Sequence, residues 1–228
     1  MAAGTSIKGF IEASFIDWPR KVASVVFLPS CNFRCPFCHN SGLILSPDDF
    51  EDFSLDGVME EIEANAGFID GVVVTGGEPT VSKGFFEMLE QFRLRGVPVK
   101  LDTNGSKPEL LEKALKNDLV SAVAMDIKAP LTPEEYSRAA GRDIDISAIK
   151  ESINLLLTAN VEVYFRTTVV PVLHDESSVR RIKQEIQGHS LILQNFRPAE
   201  ALDPSFRKMM PFGADEFDKL KKVVEVTL

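Results

Sequence analysis

Val22-Ala23-Ser24-Val25-Val26-Phe27-Leu28-Pro29-Ser30-Cys31-Asn32-Phe33-Arg34-Cys35-Pro36-Phe37-Cys38-His39-Asn40 is an apolar run of strand length that breaks abruptly into a polar, cysteine-bearing loop. The same pattern recurs along the chain. Gly71 to Thr75 runs into Thr75-Gly76-Gly77-Glu78-Pro79, Val97 to Asp102 into Asp102-Thr103-Asn104-Gly105, and Ala122 to Asp126 into Asp126-Ile127-Lys128. Val161 to Val169 and Leu191 to Phe196 complete a set of six strand candidates rich in Val, Ile, Leu and Phe. Between them the spacing predicts helices over Leu55 to Ala66, Lys83 to Arg95, Lys107 to Leu119, Ser147 to Ala159 and Ser177 to Gln187, with a last one from Ala214 to about Val226. Strand, helix, strand in succession implies parallel strands joined by right-handed crossovers. Both an open doubly wound sheet and a barrel gather chemistry at the C-terminal strand ends. A barrel is favoured when many strands contribute. The expectation is an α/β fold, a partial (βα)6 TIM-like barrel, as a single domain over residues 1–228 with an N-terminal extension to about residue 20.

A chain of 228 residues with 44% hydrophobic content can bury a substantial core. Its 25 basic residues against 34 acidic ones give a net charge of -9, the wrong sign for holding a phosphate backbone, so nucleic acid is excluded as an expected partner. Apolar stretches such as Val72-Val73-Val74 are strand-sized, and Met1 to Ser6 carries no charged segment followed by a long apolar run. A cytoplasmic protein with no membrane association is expected. The three cysteines fall within one short loop rather than forming a disulfide framework, which points to a reducing compartment and a metal or redox role.

Cys31, Cys35 and Cys38 are separated by three and then two residues. A loop of this length can fold its thiolates around one face of a cubane iron-sulfur cluster, whose irons demand soft sulfur ligands. Three thiols for four irons leave one iron open, as suits a catalytic site. Three other readings use parts of the same segment. Cys35-Pro36-Phe37-Cys38-His39 fits c-type haem attachment, which goes with export and leaves Cys31 unused. Cys35-Pro36-Phe37-Cys38 fits a thioredoxin-like pair, but Asn40-Ser41-Gly42 should interrupt the helix such a pair needs. The three thiols with His39 could hold structural zinc, through an awkward chelate of neighbouring residues.

With an aromatic residue just before the third cysteine, this pattern resembles that of the radical S-adenosylmethionine (SAM) enzymes. The stretch from Gly9-Phe10 to Asn40 resembles the activating proteins of anaerobic ribonucleoside-triphosphate reductase, above all Ser14-Phe15-Ile16-Asp17-Trp18-Pro19 and Val26-Phe27-Leu28 leading into Cys31-Asn32-Phe33-Arg34-Cys35. Two positions depart from that pattern. Arg20 stands where a small residue is expected, and Pro29-Ser30 precede Cys31 where the family often has Gly. The resemblance implies a 4Fe-4S cluster on Cys31, Cys35 and Cys38, a barrel of the radical SAM type, and SAM as second cofactor.

The remaining strand-end residues follow. Thr75-Gly76-Gly77-Glu78-Pro79 reads alone as a strand-exit turn, although paired glycines allow close backbone approach to a ligand and Glu78 could hold an ammonium. The resemblance implies that Gly76, Gly77, Glu78 and Pro79 bind the amino group of SAM. Asp102 and Asn104 serve equally as a polar turn or a cofactor contact. Asp126 and Lys128, two apart, point to one face and form either a surface ion pair or, as in related activases, a SAM contact. Arg166 resembles a family arginine near SAM, with an ordinary ion pair as its alternative. Phe37 is placed by the adenine or simply packed. Arg197 lies where some relatives place a SAM-contacting histidine. His39 reads as a hydrogen-bonding loop residue; His174 and His189 carry no motif. The implied activity is reductive SAM cleavage under anaerobic conditions to make a glycyl radical on a partner, anaerobic ribonucleotide reductase, with flavodoxin or ferredoxin as electron donor. The alternatives are a formate lyase as partner, or radical chemistry on a small molecule.

Overall fold

In the computed structural model, residues 4–225 are described. The strands are β1 (Gly9–Ser14), β2 (Ala23–Leu28), β3 (Gly71–Gly76), β4 (Val99–Thr103), β5 (Ala122–Asp126), β6 (Glu162–Val169) and β7 (Leu191–Asn195). They form one seven-stranded sheet in sequence order. β1 pairs with β2 antiparallel; every later pair is parallel. The six expected strands are all present, and the sheet stays open, as a partial barrel requires. The N-terminal extension supplies the added edge strand β1.

The helices are α1 (Ser41–Leu45), α2 (Leu55–Ala64), α3 (Phe85–Leu94), α4 (Pro108–Lys116), α5 (Pro133–Ala140), α6 (Ile146–Leu157), α7 (Glu176–Glu185) and α8 (Ala214–Glu225). The predicted end of α8 at Val226 lies outside the described residues. Two helices were not foreseen. α1 begins where Asn40-Ser41-Gly42 was expected to prevent a helix, and it is only five residues long. α5 starts from Thr132, whose side chain caps the Glu135 amide; Thr132-Pro133-Glu134-Glu135 has the serine/threonine-x-x-glutamate spacing of a capping box, with proline at the first helical position.

Strand alternation divides the sheet into two faces. Val26, Leu28, Val72, Val74, Leu101, Val123, Met125 and Phe165 pack with the helices in the main core. On the other, inner face Trp18 is fully buried among Ala23, Val25, Val73 and Ala122, closing the floor of the half-barrel. Within the described residues no helix is long and apolar enough to cross a membrane.

Candidate functional site

The upper end of the inner face is polar. Lys100 lies level with Val73 and Ala122 in the strand register, but its ammonium reaches up to pair with Asp102, the next residue on that face. Arg166 donates from Nη1 to Asp102 Oδ2 at 2.9 Å and from Nε to Asp126 Oδ1 at 2.8 Å. Lys128 Nζ closes the row on Asp126 Oδ2 at 3.2 Å. Three cations thus alternate with two carboxylates across three strand ends, leaving one positive charge in excess. Burial alone would raise the Asp126 carboxyl, but Arg166 and Lys128 hold it well below the usual carboxylate range. Burial pulls the Lys100 ammonium down against the opposing pull of Asp102.

The loop after β3 is bound to the root of the cysteine loop. Gly77 N–H donates to Leu28 O at 2.9 Å and Glu78 N–H to Ser30 O at 2.8 Å. A Cβ on Gly77 would lie 1.7 Å from Ser30 O, so no other residue fits this approach. The close approach expected toward a ligand is here an approach of chain to chain. Glu78 is buried, and its carboxylate accepts from Thr80 Oγ1 at 2.5 Å, Thr80 N at 3.2 Å, Thr103 Oγ1 at 2.7 Å and Asn104 N at 2.7 Å. Burial pushes its carboxyl up and these four donors oppose that. Glu78 therefore ties the end of β3 to the end of β4. Pro79 is buried at the start of a short 3-10 turn.

The cysteine loop is held from several sides. Arg34 Nη1 donates to the carbonyls of Cys31 at 2.6 Å and Phe33 at 2.7 Å. Asn104 Nδ2 donates to Asn32 Oδ1 at 2.9 Å, and Asn40 Nδ2 to Gly76 O at 2.8 Å. Cys35 is buried, while Cys31 and Cys38 are half-buried. Burial pushes the Cys31 thiol up to about 11 and the Cys35 thiol up to about 12, and raises Cys38 as well. Loading with metal must therefore displace protons. Phe37 is buried in the main core.

The two departures from the family pattern coincide with backbone strain. Arg20 and Ser30 have φ of 66° and 67°, the left-handed region where glycine is at ease.

Four relevant residues escaped the sequence reading. Lys100 anchors the charged row; its signal was a cation two residues before Asp102, the spacing that flagged Asp126 and Lys128. His174 is buried, accepts from Val170 N–H through Nδ1 at 3.0 Å and bonds Lys128 O through Nε2 at 2.9 Å. With Thr167 Oγ1 donating to Ile127 O at 2.9 Å, it fixes the Asp126-Ile127-Lys128 segment. No local sequence signal marked either contact. Tyr136 lies on the unforeseen helix α5.

The family model for the radical SAM superfamily matches residues 25–183. The chain belongs to the radical SAM superfamily. As a radical SAM enzyme it uses a 4Fe-4S cluster and SAM. It is 33% identical over 226 residues to a protein of Methanocaldococcus jannaschii named as a glycyl-radical enzyme activating enzyme, covering 96% of this chain and 91% of that one. It is 23% identical over 218 residues to the pyruvate formate-lyase-activating enzyme of Clostridium pasteurianum, covering 90% and 82%. A GTP 3',8-cyclase of Alkaliphilus oremlandii is 32% identical over 127 residues, 54% of this chain and 39% of the cyclase. Among solved structures, SuiB of Streptococcus suis bound to precursor peptide SuiA superposes with a TM-score of 0.68 at 13% identity, over 88% of this chain and 44% of SuiB; the likeness is one of fold.

The donor set suits the superfamily's cluster. Among the described residues no group of three or more His, Cys, Asp or Glu side chains is placed to hold one metal ion. A cubane takes its thiolates on separate irons and asks for sulfurs spread along a loop.

Proposed function

We propose that this radical SAM enzyme is a glycyl-radical enzyme activase, with Cys31, Cys35 and Cys38 each ligating one iron of the cluster and SAM at the fourth. The observation that carries this reading is the near full-length match to two activating enzymes, 91% and 82% of their chains, against 39% of the cyclase. Cys31, Cys35 and Cys38 would hold the cluster, which would supply the electron for reductive cleavage of SAM and so the means of taking hydrogen from a glycine Cα. The chain's own residues bind and orient. Gly76, Gly77, Glu78 and Pro79 form the wall beside the methionine amino group. The excess positive charge of Lys128 and Arg166, with Asp126 and Asp102 holding them in place, faces the carboxylate. Asn104 and Phe37 complete the surround. The open sheet leaves a side through which a polypeptide loop can reach the site.

The resemblance of Ser14 to Pro19 and Val26 to Cys35 favours anaerobic ribonucleoside-triphosphate reductase as partner, with a flavodoxin or ferredoxin as donor. The test is anaerobic mixing of reduced enzyme, SAM and that reductase, followed by electron paramagnetic resonance. A glycyl radical signal accompanied by 5'-deoxyadenosine is expected. SAM cleavage with no glycyl signal overturns the partner assignment.

A further inference from the structure

The turn after β4 carries an amide whose orientation the fold decides. Ser106 N–H donates to Asn104 Oδ1 at 2.9 Å, and a backbone N–H can only donate. The side-chain oxygen of Asn104 is therefore settled, and its nitrogen points the other way. Nδ2 donates to Asn32 Oδ1 at 2.9 Å, which leaves Asn32 Nδ2 to donate to Ser106 Oγ at 2.6 Å. Asn104 is buried. Its own N–H is held by Glu78 at 2.7 Å, and the Gly105 carbonyl accepts from Ser152 Oγ of α6 at 2.7 Å, so the amide has little freedom to turn.

An amide nitrogen carries two hydrogens. With one on Asn32, the other has Cys31 Sγ at 4.0 Å, a long contact to a protonated thiol, which is a weak acceptor. The same sulfur accepts from Phe33 N–H at 3.3 Å; that bond favours the Cys31 thiolate, and burial opposes it. On iron the sulfur is a thiolate, and charge-assisted bonds are shorter and stronger than neutral ones. Resting on the cluster assignment above, we infer that the Asn104 side chain donates a hydrogen bond to the Cys31 thiolate when it ligates iron, and that this bond raises the reduction potential of the cluster. The reduced cluster is the more negative form, so an N–H dipole aimed at a ligand sulfur stabilises it more than the oxidised form. Asn104 thus sets how readily an electron donor loads the cluster, a task separate from any contact with SAM.

The experiment compares full chains reconstituted anaerobically with iron and sulfide, without SAM, each poised at the wild-type midpoint and read by electron paramagnetic resonance. In Asn104→Ala the reduced-to-oxidised ratio should be about threefold lower, equivalent to about 28 mV for one electron. Asn104→Asp keeps the acceptor for the Ser106 N–H but turns an oxygen toward the sulfur, and its ratio should fall further. Ser106→Ala removes the hydroxyl that Asn32 binds and leaves the Asn104 donor in place, so its ratio should match wild type. An unchanged ratio in either loaded Asn104 variant, or an equal fall in Ser106→Ala, overturns the inference alone. If neither Asn104 variant loads, wild type carrying the heavy nitrogen isotope at asparagine Nδ2 decides: a magnetic coupling of the reduced cluster to a labelled nucleus, retained in Asn40→Ser, is expected, and its absence overturns the inference. A wild type that takes up no iron and sulfide overturns the cluster assignment and the inference with it.

Discussion

At the floor of the half-barrel, Trp18 fills the space between Ala23, Val25, Val73 and Ala122. At the mouth of the same inner face, Asp102, Arg166, Asp126 and Lys128 are joined by directed ion pairs. The floor rests on apolar area, a term that is large and indifferent to exact geometry; its one polar group, Trp18 Nε1, makes only a 3.4 Å contact with Glu162. The mouth rests on hydrogen bonds whose value lies in placement and which add little net stability where the groups are partly wet. Stability and chemistry are thus lodged at opposite ends of one set of strands, with Lys100 spanning the boundary.

Trp18→Ala tests this division most severely. It should lower the unfolding free energy by about 3–5 kcal/mol, read by denaturant titration, while iron bound per folded chain stays at the wild-type level. Lower iron content in the folded fraction would break the division. Glu78→Gln should cost roughly 2 kcal/mol, because its amide nitrogen takes the place of one carboxylate oxygen and so faces either the Thr80 or the Asn104 backbone N–H, each of which now finds an acceptor; here cluster loading should fall too, since the Glu78 carboxylate fixes the backbone whose Gly77 and Glu78 N–H groups hold the root of the cysteine loop. Ser30→Gly should relieve the left-handed backbone and stabilise by about 0.5–1 kcal/mol, with loading unchanged.

The smallest effect is on pH dependence. Burial lowers the pKa of His174 from its ordinary 6.5, and Nδ1 cannot gain a proton without facing the Val170 N–H. The unfolded chain therefore binds the proton more readily than the folded one. Stability is full above pH about 6.5 and declines as pH falls below it. Denaturation of the cluster-free chain between pH 7.5 and 5.5 should show this decline (about two pH units spanning the ordinary value), and His174→Gln should flatten it.

The repeating strand-to-polar-loop pattern made the sheet order and the cysteine loop legible, because burial on both faces and soft-metal chemistry each leave a local mark. β1 was hidden because Gly9–Ser14 is half exposed and pairs at an edge. α5 was missed although Thr132 to Glu135 carries a capping signature. Glu78 was legible as important, but its partners Thr103 and Asn104 come from the next strand end, and only the fold brings them together. The same holds for His174 and the Lys128 carbonyl, 46 residues apart.

On the proposed assignment, Cys31, Cys35 and Cys38 hold a cubane with one iron open to SAM. The direct measurement is iron and sulfide analysis of the anaerobically reconstituted chain, with electron paramagnetic resonance of the reduced protein before and after adding SAM. About four irons and four sulfides per chain, with a signal that changes on SAM addition, are predicted. Zinc without sulfide, or a cluster signal indifferent to SAM, would contradict the claim.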